Sequence, residues 1–76
     1  MNKMRRKALE ELAEKIADLQ NELEEIKQEE EDYKDNMPEN LQSSERYEIA
    51  DAACEAMDSA ISALQDAYDY TVEAAG

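Results

Sequence analysis

Four carboxylates in the second half of the chain fall on a line. Glu48, Asp51, Glu55 and Asp58 recur at alternating spacings of three and four. On a helix this puts them along one face, ~5 Å apart along the axis. Asp66, Asp69 and Glu73 continue the line less regularly, and Glu29, Glu31 and Asp32 form a second acidic cluster in the first half. A row of fixed negative charges can stand in for phosphates, because a protein that grips a nucleic-acid backbone through Lys and Arg responds to charge and spacing. The other groups capable of chemistry are few. Histidine is absent, so the usual general base is missing and no Ser-His or Cys-His pair can be built. Cys54 is the single cysteine and lies on an apolar stripe, where a thiol acts as a small core hydrophobe. Helical di-metal sites of the E-x-x-H kind need histidine, and neither an EF-hand loop nor a glycine-rich phosphate loop is present. The expectation is a non-enzymatic protein with no catalytic residue, no metal and no cofactor.

Charge points to the class of partner. The chain has 21 acidic and 8 basic residues, a net charge of -13 over 76 residues. Solubility asks a magnitude of only ~2–8 of a small domain. Such a surface repels nucleic acid and anionic membranes and attracts proteins that hold phosphates, so the expected partner is a basic nucleic-acid-binding protein. Direct nucleic-acid binding and membrane association are not expected. Two hairpins side by side would carry a net -26 over ~48 Å, roughly one charge per 1.8 Å and close to the ~1.7 Å per charge of duplex DNA. The competing reading is that the acidic face keeps a small helical protein soluble. No apolar run approaches the ~20 residues of a membrane span, and the start MNKMRRK has no apolar segment behind its charges. With a lone cysteine, this predicts a cytoplasmic location.

The elements that must carry these charges follow from the apolar residues. Leu9, Leu12, Ile16, Leu19, Leu23 and Ile26 recur at spacings of three and four, and the rhythm runs on through Glu30 to Tyr33 and Met37. Tyr47, Ala50, Cys54, Met57, Ile61, Leu64 and Tyr68 repeat it. The reading is an all-α fold, an antiparallel two-helix coiled-coil hairpin in one domain spanning 1–76. The first helix runs over about 3–35, the connection over 36–43 and the second helix over about 44–75. Folding back near residue 40 would pair Leu12 with Tyr68, Ile16 with Leu64, Leu19 with Ile61, Leu23 with Met57, Ile26 with Cys54 and Tyr33 with Tyr47. Asn36 is expected to end the first helix in the left-handed conformation, with Pro38 blocking its continuation. Met37 and Leu41 tuck under the turn, and Ser43 or Ser44 caps the second helix. The basic residues Lys3, Arg5, Arg6 and Lys7 are expected to lie beside Asp69 and Glu73 and neutralise them.

The second helix carries more apolar surface than one neighbour can cover. With Tyr47 as heptad position a, Ala53, Ala60 and Ala67 fall on g, while Ile49, Ala56, Ala63 and Tyr70 fall on c. A lone hairpin of this size also buries too little to be comfortably stable. Self-association through Ile49, Ala53, Ala56, Ala60, Ala63 and Ala67 is therefore expected, most simply as a homodimeric four-helix bundle. Tyr70, nearer the edge, is a candidate anchor for a partner.

The stretch Asp35-Asn36-Met37-Pro38-Glu39-Asn40-Leu41-Gln42-Ser43-Ser44-Glu45-Arg46-Tyr47-Glu48, followed by an Ala/Asp/Glu-rich helix, resembles small acidic proteins encoded by phages and mobile elements of Firmicutes. The distinctive part is the connection; the remainder is coiled-coil composition. The resemblance carries over no catalytic residue. It implies an anti-defence role, such as an anti-CRISPR or anti-restriction protein that imitates nucleic acid. The expected function is thus an inhibitor blocking the DNA- or RNA-binding cleft of a host defence protein such as a CRISPR effector nuclease. The alternative is an oligomerisation or assembly module with a solubilising acidic surface.

Overall fold

The computed structural model describes residues 1–41 and 44–76. Two long helices dominate, α1 over Lys3–Asp35 and α2 over Glu45–Ala75, with a short 3-10 turn at Glu39–Leu41 between them. There is no strand among the described residues. The helices pack against each other as an elongated antiparallel hairpin with Cα extents of 60 × 14 × 12 Å.

Local chemistry explains the helix ends. Asn2 caps α1, its side-chain oxygen accepting from the Arg5 backbone N–H at 2.8 Å. No acid occupies the first turn of α1. Asn36 ends α1 with φ -86°, so the expected left-handed conformation is not used. Its own side chain makes that unnecessary: the Asn36 amide donates to the Asp32 carbonyl at 2.8 Å, alongside the Asn36 backbone N–H at 3.0 Å. Ser44 caps α2, accepting from the Tyr47 N–H at 3.4 Å, with Glu45 and Glu48 in the first turn to match the dipole. Ser43, the other candidate cap, lies outside the described residues. Met37 is buried under the turn, whereas Leu41, expected beside it, is 44% exposed.

The seam on α2 follows Tyr47, Ala50, Cys54, Met57, Ile61, Leu64 and Tyr68, all buried or half-buried. The seam on α1 does not follow the expected line. Its buried and half-buried residues are Leu9, Ala13, Ile16, Ala17, Gln20, Leu23, Lys27, Glu30, Glu31, Lys34 and, just beyond the helix, Met37. Leu12, Leu19, Ile26 and Tyr33, which the sequence places in the seam, are instead half-exposed, between 48% and 55%. The helix is rotated so that the residue after each of them faces α2.

Gln20 bonds Gln65, Lys27 bridges Asp58 and Lys34 bridges Asp51, a row of contacts along one flank of the interface. Leu12, Leu19, Ile26 and Tyr33 are too exposed to be the core partners expected of Tyr68, Ile61, Cys54 and Tyr47, and Cys54 lies in the field of Lys34, Glu31 and Glu30. Two causes are visible. Ala13, Ala50 and Cys54 are small and buried, so the backbones can approach closely at this setting. The long polar side chains of α1 also find partners on α2 only here. The rotation has a cost: a Leu or Ile left half-exposed forgoes about half of the ~1.5–3 kcal/mol that full burial contributes.

Candidate protein-binding surfaces

The ion pairs divide the acidic residues into two kinds. Asp51 and Asp58 are occupied inside the hairpin. The Lys34 ammonium donates to Asp51 at 3.1 Å, and Lys27 bridges both Asp58 and Glu31. The hydrogen bond to Asp58, reinforced by Glu31, raises the Lys27 pKa above its ordinary value, and the bond to Asp51 does the same for Lys34. Lys34 also stands 5.9 Å from the Tyr47 ring centroid, close enough for a weak cation–π attraction. Two of the four carboxylates in the α2 line are therefore partly neutralised by α1, as is Glu31. The remaining two, Glu48 and Glu55, are exposed with no ion pair among the described residues. So are Glu29 and Asp32, although Asp32 accepts from Gln28 at 3.0 Å.

Net negative charge concentrates at the turn half of the hairpin. Residues 23–61 hold 13 acidic and 3 basic side chains, and the rest of the chain holds 8 and 5. Of those 13, only Glu31, Asp51 and Asp58 meet a cation among the described residues. Sequence spacing finds the acidic line but not this partition, because Lys27 and Lys34 are far from Asp58 and Asp51 along the chain.

The basic cluster at the start of α1 does not do what the sequence suggests. Lys3, Arg5, Arg6 and Lys7 are exposed and form no ion pair with Asp69 or Glu73 among the described residues. Arg6 lies against Gly76, and Asp69 accepts from Gln65 at 3.0 Å.

A second surface is apolar. On α1 the bridging residues Gln20, Lys27 and Lys34 flank one side of the seam, which leaves Leu12, Leu19, Ile26 and Tyr33 on the other. On α2 the bridging residues Asp51, Asp58 and Gln65 mark the same side, which puts Ala53, Ala60 and Ala67 on the opposite flank. Ile49, Ala56, Ala63 and Tyr70 lie further round on that flank, all exposed, with Ile49 at 62% and Tyr70 at 71%. The self-association residues expected on α2 thus share a face with an α1 stripe that the sequence assigned to the interior.

Two concavities accompany these surfaces. One of about 580 Å³ at the turn is lined by Tyr33, Met37, Pro38, Leu41 and Arg46 among others. One of about 380 Å³ lies around the Lys27 bridge, between Glu24, Glu31, Asp58 and Ile61. Cys54 is buried and burial pushes its thiol pKa up, so it is held as the neutral thiol. Among the described residues no His, Cys, Asp and Glu side chains are grouped to hold a metal ion, and no helix is long and apolar enough to cross a membrane. No protein-family model matches the chain, and neither the curated proteins nor the solved structures contain a match to it.

Proposed function

We propose that this chain acts by binding protein rather than by catalysis, as an acidic inhibitor that occupies the nucleic-acid-binding cleft of another protein. A host defence nuclease of the CRISPR effector kind fits the charge and the phage-like resemblance. The observation that carries the reading is the turn half, which holds 13 acidic against 3 basic side chains and where ten of those carboxylates have no cation partner among the described residues. Unpaired charge is available to an incoming Lys or Arg, and paired charge is not. The contact set is accordingly Glu48 and Glu55 on α2 with Glu29 and Asp32 on α1, with Tyr70 further along α2 as a possible anchor. Asp51 and Asp58 bridge the two helices, Glu31 pairs with Lys27 within α1, and all three add to the surrounding field.

The test is capture of proteins from a bacterial lysate on the immobilised chain, followed by elution with duplex DNA or salt. A phosphate mimic releases its partner to either, because screening and competition act on the same contacts. Capture that survives both, or that is unchanged by E48K/E55K, contradicts the reading. The exposed apolar face favours a second role, that of an assembly module whose charge keeps the assembly soluble.

A further inference from the structure

We infer that the composite apolar face is covered by a second copy of this chain, lying antiparallel to the first with α1 stacked on α1. This inference stands independently of the mimicry reading. Its starting point is the stripe Leu12, Leu19, Ile26 and Tyr33, spaced by seven, which lies outside the α1–α2 seam although its residue types and period are those of a helix interface. Beside it run Ala53, Ala60 and Ala67, small enough for a close helix approach. The hairpin measures 60 by 14 Å between Cα atoms, so a second copy laid along this face meets it over most of its length.

Charge selects the occupant and its direction. The helix macrodipole favours acids at the start of a helix and bases at its end. α1 is built the wrong way round: Lys3, Arg5, Arg6 and Lys7 crowd its start, and Glu29, Glu30, Glu31, Asp32 and Asp35 crowd its end. Within the hairpin Arg6 lies against Gly76 at the end of α2, but the basic cluster forms no ion pair among the described residues and Lys34 is the one base in the last turn of α1. A second α1 laid antiparallel corrects both ends at once, bringing each basic start to the other's acidic end. It sets Leu12 opposite Tyr33 of the second copy and Leu19 opposite Ile26 of the second copy. A parallel arrangement would bring the two acidic turn halves, each with 13 acids and 3 bases, against each other. The two-fold axis then crosses the hairpin near its middle, and the turns project at opposite ends.

Two measurements test this. In a Cys54→Ala background, a spin label at Asn36→Cys reports the distance between turns by pulsed electron resonance. In the antiparallel pair Asn36 stands level with Leu9 of the second copy, which predicts a separation between turns of about 40 Å at the helical rise per residue. A short distance, with the turns together, overturns the proposal in favour of parallel pairing. Ile26→Glu, at a half-exposed position, should leave helicity intact while weakening self-association at least tenfold in sedimentation equilibrium. A wild-type chain that stays monomeric at tens of micromolar, or an I26E chain that associates as the wild type does, overturns it; a covering helix from a different protein would give the first result.

Discussion

At the scale of single residues, the hairpin is set by small side chains and a few polar bonds. Ala13, Ala50 and Cys54 are small and buried between the helices. Ala50→Leu should destabilise the chain by about 1–3 kcal/mol through overpacking, seen as a lower midpoint in thermal unfolding followed by circular dichroism. Ser44→Ala removes the α2 cap and should cost about 1 kcal/mol by the same assay. The lysine bridges make a pH prediction with a definite sign. Lys27 and Lys34 titrate higher in the fold than in the unfolded chain, so their contribution is complete below the unfolded value of 10.5. It is lost as pH rises through the folded values. Cys54, also raised, acts in the same direction from its ordinary 9.0 upward. Thermal stability should therefore fall above about pH 9, and Cys54→Ala should remove the earlier part of that fall. Stability unchanged up to pH 11 would show that these groups titrate alike in both states.

At the scale of elements, the two helices differ in how legible they are. The α2 seam follows directly from its spacing, because Tyr47, Cys54, Met57, Ile61, Leu64 and Tyr68 keep one regular line and the residues between them are mostly alanine or polar. The α1 spacing admits two seams. Leu9, Ile16 and Leu23 belong to both, and the choice between Leu12/Leu19/Ile26 and Ala13/Gln20/Lys27 depends on what α2 offers opposite. Hydrophobicity favours the first set. Close approach at Ala13 and the bridges of Lys27 and Lys34 to Asp58 and Asp51 select the second, and none of these pairings is visible along one helix. The acidic line has the same character: its periodicity is plain in sequence, but the neutralisation of Asp51 and Asp58 belongs to the partner helix. The two kinds of carboxylate should therefore respond differently to reversal. E48K/E55K should lose partner binding at a cost in stability of about 1 kcal/mol at most, the part that comes from removing Glu48 from the first turn of α2. D51K/D58K should lower stability as well, because it sets ammonium against ammonium across the seam. Equal stability of the two variants in chemical denaturation would mean that the bridges contribute nothing to the fold.

At the scale of the whole molecule, the rotated seam gives the hairpin two unlike surfaces, and each implies a partner. The apolar face, with Leu12, Leu19, Ile26 and Tyr33 beside the alanine ladder of α2, asks for a complementary helical surface of equal length. The acidic turn half asks for a basic one. Pairing two hairpins across the apolar face in opposite directions leaves an acidic turn at each end of a rod, a shape able to engage two basic clefts. The most direct measurement is small-angle X-ray scattering of the wild-type chain at tens of micromolar, which reads mass and length together. The account predicts twice the 8.7 kDa chain mass in a particle still about 60 Å long, as side-by-side antiparallel copies require. A particle of 8.7 kDa, or one of doubled mass and nearly doubled length, would contradict it.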